Sequence, residues 1–535
     1  MVCLNFALTA EKNKMNFGFI IDNRKCIGCH ACTVACKSEH QVPVGVNRTW
    51  VKYIEKGEFP NTRRLFSVMR CNHCDDAPCV EICPVTALYT RNDGIVDFDD
   101  RRCISCKACT QACPYDALYI HPETKTAAKC NYCTHRVDIG LEPACVVVCP
   151  EHAIVSGDMD NPNSEISHLL ARETVSVRKQ EKGTNPKLFY IDGDRVSLNP
   201  TATEIQDDYM WSSQATGVGK FAKYAEARII NSPVADEFKK QNFVQIEPRK
   251  SVRRVYDVPN KGTLWGWEVS AYILTKAIAS GAFFLPVLGD YLFSVPPSVK
   301  QFGAIISFIF LTITGILLVK DLGRPDRFLY VLFRPQFKSW LSRGAYIITA
   351  YGGILTLWLV ASFAGLEQIL SFIEPIGIIL AVLTAVYTAF LFAQAKGRDF
   401  WQSPMLGLEM IVHSIMAGLA VFLIAVQFLE VNMGFRMVLN FLAILMLIIH
   451  LLMIAIEMTT SHTTEDAHKT VEMIVSGDFS HKFWLGMIFT GNTLPLILLL
   501  TGNSWAFATA GILILIGLWF AEDIWVRAPQ KIPLS

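Results

Sequence analysis

The chain has 535 residues, 51% of them hydrophobic and only 18% charged, with a net charge of +1 and a mean hydropathy of +0.31. Soluble domains carry about 25% charged residues, so this composition excludes an ordinary soluble protein. The balanced charge, with no basic patch interleaved with stacking aromatics, argues against nucleic-acid binding.

The first segment, MVCLNFALTAEKNKMNFGFIIDNRKC, has neither a basic leader followed by a long apolar core nor a twin arginine. It does not read as an export signal. Cys3 reads as a plain thiol, and Phe17 to Ile21 as a short strand.

The other sixteen of the seventeen cysteines fall in four groups. They are Cys26-x2-Cys29-x2-Cys32-x3-Cys36, Cys71-x2-Cys74-x4-Cys79-x3-Cys83, Cys103-x2-Cys106-x2-Cys109-x3-Cys113 and Cys130-x2-Cys133-x11-Cys145-x3-Cys149. Pro84, Pro114 and Pro150 follow the last cysteine of three groups. Such gaps suit metal ligation rather than disulfides. Four all-thiolate zinc sites would also use sixteen cysteines, but the x2-x2-x3-Pro run is specific to cubane iron–sulfur clusters. Four [4Fe-4S] clusters are therefore expected. In two-cluster ferredoxins three close thiolates hold one cubane and the fourth reaches the other. That pattern predicts the sets Cys71, Cys74, Cys79, Cys113; Cys103, Cys106, Cys109, Cys83; Cys26, Cys29, Cys32, Cys149; and Cys130, Cys133, Cys145, Cys36.

The stretches CNHCDDAPCVEICP, RRCISCKACTQACP and CNYCTHR, with Gly157-Asp158, Asp160 to Ser164 and Lys187 to Ile191, resemble the four-cluster electron-transfer subunit of the molybdopterin oxidoreductase family, found in dimethyl sulfoxide and polysulfide reductases. The resemblance implies a duplicated dicluster ferredoxin-like α+β domain over 1–195. It also implies a separate large molybdopterin or tungstopterin catalytic subunit as partner.

A connector over 196–261 follows, without cysteine or a long apolar run. TATEIQDDYMWSS and KFAKYAEARII read as short helices, and Arg249, Lys250, Arg253 and Arg254 mark either a solvated tether or a strap between domains. Eight apolar segments then make an all-α membrane domain over 262–535: about 264–290, 301–320, 343–363, 371–393, 405–427, 433–457, 482–500 and 504–524. Each is near the ~20 residues a bilayer core needs; the fourth follows Glu374-Pro375 and could start a turn later. Trp265 and Trp267 suit the membrane interface.

An even number of spans puts both ends of this half on one side. That side carries Lys320, Arg324, Arg327, Arg334, Lys338, Arg343, Lys396, Arg398, Lys469, Lys482, Arg527 and Lys531, against Lys300 and Arg436 opposite. Positive charge favours the inside, so the cluster domain is expected to face the cytoplasm from the inner membrane.

Asp321-Leu322-Gly323-Arg324-Pro325-Asp326-Arg327-Phe328, Pro335, Ser339-Trp340, Tyr387, Gly491 to Pro495, and Arg527, Ala528 and Gln530 resemble the polysulfide-reductase membrane subunit family known as NrfD-like. Pro529 stands where that family usually has glycine. The resemblance implies quinone binding without haem close to the last cluster, with Tyr387 beside the pocket and Glu268 where the family often has a polar residue.

Ionisable groups in hydrocarbon are costly and usually functional. A quinone takes two protons with two electrons, so Glu268 and Tyr387 are candidates to exchange them. Asp321, Arg324 and Arg327 are read as a pocket roof or a loop clamp. Glu409 and His413 share a helix face, and His450 and Glu457 could extend a proton route toward Glu374 and Glu430. His413 and His450 also allow a b-haem reading, although no haem is expected from the resemblance. His462 and His468 read as a solvated loop. The leading expectation is an electron-transfer and quinone-reactive subunit of a respiratory oxidoreductase. The alternatives are a redox-driven proton- or ion-translocating module, a haem-containing anchor and a purely structural anchor.

Overall fold

The computed structural model describes residues 15–58, 60–203, 252–258, 261–291, 294–431 and 433–535. Cys3, the two connector helices beyond residue 203, Arg249 and Lys250 lie outside the described residues.

The N-terminal half is α+β. β1 (Phe17–Asp22), β8 (Ile154–Asp158), β9 (Val175–Ser176) and β10 (Leu188–Ile191) form one sheet in the order β8-β1-β10-β9. β1 runs antiparallel to β8 and parallel to β10, so the two ends of the cysteine half close on each other. β2 (Thr49–Glu58) and β3 (Asn61–Arg70) make a long hairpin. Two short hairpins, β4/β5 (Leu88–Thr90, Val96–Phe98) and β6/β7 (Leu118–Ile120, Ala127–Lys129), follow the second and third cysteine groups. α1 (Ala31–His40) packs on a one-turn helix at Ala144–Val147, and a one-turn helix at Pro78–Glu81 packs on another at Ala108–Ala112. The first cysteine group thus packs against the fourth, and the second against the third.

The end of the connector is a strand. β11 (Val252–Tyr256) adds antiparallel to β2, with a bulge between Arg254 and Tyr256. The Arg254 guanidinium, buried, donates to Asp257 (3.1 Å) and the Pro200 carbonyl (2.8 Å). The polypeptide therefore returns to the cluster domain before entering the membrane.

Among the described residues, eight helices are long and apolar enough to span a bilayer. They are Trp267–Asp290, Pro297–Lys320, Trp340–Phe363, Glu367–Gln394, Leu406–Ala425, Met433–Thr459, Lys482–Leu500 and Ser504–Arg527, referred to as spans 1 to 8. Span 4 begins a turn before the expected 371, not after it, and carries Pro375 inside. Proline removes one backbone donor, a loss that membrane helices tolerate when neighbours re-satisfy the freed carbonyl. Span 1 is the hub, packed by spans 2, 4, 5 and 8. Gly281 permits this: a Cβ there would meet the Ser414 carbonyl and Gly418 of span 5. Span 7 begins with wide turns over Lys482–Thr493, in which the Thr490, Asn492 and Thr493 side chains donate five residues back.

Candidate functional site

Burial pushes eleven of the cysteine thiols up, and the thiols that add to the push identify neighbours. Cys74 and Cys79 sit with Cys71 and Cys113; Cys106 and Cys109 sit with Cys103 and Cys83. Cys26 sits with Cys29 and Cys149, and Cys32 with Cys26. Cys130 and Cys133 sit with Cys36 and Cys145. Three cross-contacts order the sets in a line: Cys32 feels Cys145, Cys130 feels Cys71, and Cys109 feels Cys79. The line begins at the Cys26 set, where Cys29 is exposed, and ends at the Cys103 set.

These sets suit iron–sulfur clusters. A thiolate is the ligand form, and burial opposes it at Cys32, pushed up to about 12, and at Cys133, pushed up to about 11. Cations must therefore hold the sulfurs charged. Backbone N–H groups of Ala87, Ser105, Ala127 and Ala153 point at Cys83, Cys103, Cys103 and Cys149 Sγ at 3.2–3.4 Å. Two cations are fully buried among the sulfurs. Burial works against both, but the surrounding cysteines raise them above their ordinary values. Arg70 Nη1 donates to Cys145 Sγ (3.1 Å), its guanidinium lies 4.6 Å over the Phe19 ring, and its Nε and Nη2 have no partner among the described residues. Lys129 Nζ is 3.5 Å from Cys71 Sγ. Sequence reasoning missed both. The available signal was a basic residue, Lys25, Arg70, Arg102 or Lys129, directly before the first cysteine of every group.

The last set docks on the membrane domain through its own loop. Lys107 pairs with Asp321 (3.0 Å), and the Gly323 N–H donates to the Ser105 carbonyl. Arg327 donates to the carbonyls of Asp100 (2.7 Å) and Cys103 (3.0 Å). Trp265 Nε1 donates to the Cys106 carbonyl (3.1 Å). Arg324 pairs with Asp326 and reaches the Thr124 carbonyl (3.4 Å). Asp321, Arg324 and Arg327 thus contact the cluster domain outside the bilayer. Arg398 also reaches across, to Gln111 (3.0 Å), as does Lys469, to the Thr201 carbonyl (2.6 Å). Four of the cations counted for topology are docking contacts as well. His462 accompanies Phe400 at this face, and the loop after span 6 leads to a helix, Glu465–Val475, whose Asp466 binds Lys179 (2.9 Å).

Beneath the last set lies an aromatic layer in which Trp265 and Phe392 both stack on Trp401. From there a polar stripe enters span 1 at i, i+4 and i+8: Glu268, Tyr272 and Lys276. Glu268 is half-buried in the first turn. Lys276, buried, donates to Thr388 Oγ1 (2.6 Å) and the Ala385 carbonyl (3.0 Å), and lies 4.8 Å from the Tyr387 ring centre. Tyr387 is buried against Gly344, where any Cβ would strike its ring. Tyr272 and Lys276 were legible only as polar residues at helical spacing in an apolar run.

A second buried cluster lies between spans 5, 6, 7 and 8. His413 Nδ1 is 2.7 Å from Glu522 Oε1, His413 Nε2 is 3.1 Å from His450 Nε2, and His450 Nδ1 is 2.8 Å from Asn492 Oδ1. Glu409 Oε1 is 3.9 Å from His413 Nε2. All four ring nitrogens are thus engaged with one another or with Glu522 and Asn492, an arrangement unlike two imidazoles facing opposite sides of a haem. Glu457 accepts from Ser403 (3.1 Å) at the cluster-domain end. Glu374, buried at the far end of span 4, accepts from Trp358 Nε1 (3.3 Å) and pairs with Lys300 (3.5 Å), and Glu430 is exposed. Glu522 and Asn492 were not foreseen, because their relation to His413 and His450 is made only by tertiary packing.

The family described as "Polysulphide reductase, NrfD" matches residues 257–522, and "4Fe-4S dicluster domain" families match 25–88 and 62–159. The cysteine half is 44% identical over 194 residues to a tetrathionate reductase subunit of Salmonella typhimurium, covering 36% of this chain and 78% of that protein. It is 42% identical over 187 residues to a polysulfide reductase component of Wolinella succinogenes, covering 34% of this chain and 97% of the relative. For protein NrfC of Escherichia coli K12 the identity is 43% over 188 residues, covering 35% and 84%. This protein belongs to the family of iron–sulfur electron-transfer subunits of reductase complexes, here fused to an NrfD-like membrane subunit.

Proposed function

We propose that this chain relays electrons through four [4Fe-4S] clusters between a separate catalytic subunit and quinone in the membrane. The ligand sets are the four described above: Cys26, Cys29, Cys32, Cys149; Cys36, Cys130, Cys133, Cys145; Cys71, Cys74, Cys79, Cys113; and Cys83, Cys103, Cys106, Cys109. The observation that carries the reading is their linear order, which starts at an exposed cysteine and ends above Trp265 and the polar stripe of span 1. The clusters supply one-electron chemistry. The protein supplies backbone donors and buried cations that stabilise charge at the sulfurs.

The quinone headgroup is assigned to the region of Glu268, Tyr272, Lys276 and Tyr387. Lys276 and Tyr387 there offer polar hydrogens to the two quinone oxygens, and Glu268 leads toward the docking face. The missing partner is assigned as a molybdopterin or tungstopterin subunit, because several similar proteins are parts of reductases of tetrathionate, polysulfide and arsenate. The positive residues flanking the spans support a cytoplasmic cluster domain; Lys320 over Trp267 and Arg343 over Trp340 serve this role without a docking contact.

The test is quinol reduction of the purified complex, read by electron paramagnetic resonance. About sixteen irons per polypeptide, clusters reduced by a short-chain quinol, and loss of that reduction in Tyr387→Phe with iron retained are expected. Clusters that dithionite reduces and no quinol reduces would refute the quinone assignment. Molybdenum or tungsten in the complex tests the partner. A second reading, ion translocation coupled to the same electrons, is favoured by the hydrogen-bonded His413–His450 pair, which links four spans inside the membrane domain. It predicts that Glu409→Gln abolishes charge movement in vesicles while quinol oxidation persists.

A further inference from the structure

The His413–His450 cluster brings two ring nitrogens to 3.1 Å, a spacing that one shared hydrogen or one metal ion can fill. Asn492 Nδ2 donates to the Met487 carbonyl (2.7 Å), which fixes the amide so that its Oδ1 faces His450. An amide oxygen only accepts, so His450 Nδ1 carries the hydrogen. Its Nε2 then presents a lone pair. On the other ring, His413 Nδ1 lies 2.7 Å from Glu522 Oε1, and where Glu522 is the acceptor His413 Nε2 presents a second lone pair. The second Nε2 lone pair then points at the first from 3.1 Å. Either a hydrogen bridges the two nitrogens, carried on His413 Nε2 with Glu522 protonated or by an imidazolium with Glu522 ionised, or a metal ion takes that position.

We propose that Glu409, His413 and His450 form a binding site for one divalent cation of the zinc class inside the membrane domain. The three ligand atoms lie within 4.8 Å of one another. Ligand atoms about 2.0 Å from a tetrahedral zinc lie about 3.3 Å apart, so the two imidazoles are already spaced for it. Glu409, 3.9 Å from His413 Nε2, closes with a small side-chain rotation. Both ligating rings give their other nitrogen to a dedicated acceptor, the pattern that orients metal-binding histidines and sets their tautomer. Charge agrees as well. Glu409 and Glu522 are 5% and 2% exposed, and a divalent cation balances two carboxylates where uncompensated charge is costly. The same position holds either the metal or the bridging hydrogen, so the two compete. A bound metal blocks proton passage between the rings. The assignment is independent of where quinone binds.

The test uses the whole complex in detergent, stripped with a mild chelator that leaves iron in place and dialysed against zinc buffered near 1 μM. One zinc per polypeptide is expected in the wild type. Affinity should fall at least about tenfold in His450→Gln, with iron content unchanged. Glu409→Gln, which leaves both rings and their orienting partners intact, covers the case in which the histidine variant fails to fold; it too should weaken binding at least about tenfold. With Cu2+ as probe and the clusters oxidised, the spectrum should show nitrogen splitting from two imidazoles. No zinc in the wild type, or zinc unchanged in both variants, would overturn the site and leave a hydrogen as the bridge between the rings.

Discussion

Arg70 is the most direct handle on the electron path. It is buried, touches Cys145 Sγ at 3.1 Å, and feels Cys145, Cys130 and Cys32, which belong to two neighbouring sets. In the proposed four-cluster relay its charge stabilises the reduced, more negative state of the two clusters nearest to it. Arg70→Met keeps most of the stem and removes the charge. Two unit charges about 6 Å apart at an effective dielectric of about 20 interact by about 2.8 kcal/mol. At about 59 mV per tenfold for one electron, this is roughly 120 mV. The assay is a redox titration of the assembled complex followed by electron paramagnetic resonance. The midpoints of the first two clusters should fall by roughly 100 mV, while the Cys103-set cluster stays within about 20 mV. An unchanged or raised midpoint with iron retained would show that Arg70 does not serve as the counter-charge.

Other outcomes follow from packing and protonation. Burial pulls His40, whose Nε2 is 3.1 Å from Cys133 Sγ, down to about 4, and His73 well below its ordinary value. Between about pH 6.5 and 4 the unfolded rings take protons that the folded rings refuse, so stability falls as pH drops through that window; cluster absorbance should bleach there, and less so in His40→Gln. Gly281→Ala drives a methyl group into the Ser414 carbonyl and Gly418 and should cost about 2–3 kcal/mol, read as a lower inactivation temperature in detergent. Asp321→Asn removes the partly buried pair with Lys107 and should weaken docking by about 1–2 kcal/mol. Amide exchange across the 103–113 loop should rise about tenfold, with the clusters intact.

The dicluster character of the cysteine half and the eight spans were legible because both signals are local: short cysteine spacing in one case and apolar run length in the other. β1 was legible for the same reason. β11 was not, because Val252–Tyr256 becomes a strand only through pairing with β2, some two hundred residues earlier. The polar clusters divide along the same line. Glu409 and His413 share one helix face and were visible as a pair, whereas Glu522 and Asn492 arrive from spans 8 and 7. The docking arginines show a subtler limit. Positive charge beside a span marks topology in an isolated helix, but Arg327 and Arg398 also meet carbonyl and amide oxygens of another domain. Span 4 began early because Pro375 reads as a helix breaker in water and is absorbed in a packed membrane helix.

The docking surface is built largely from the backbone of the cluster loops. Carbonyls of Cys103, Ser105, Cys106, Ile82 and Pro84 receive donors from Arg327, Gly323, Trp265, Ser339 and Ser342. Those carbonyls belong to the same loops that carry the cysteines, so one stretch of backbone serves both the sulfurs and the docking face. Anything that reshapes the cysteine loops, iron starvation included, should therefore loosen the docking of Arg327, Ser339 and Ser342, read as faster proteolysis between the two halves.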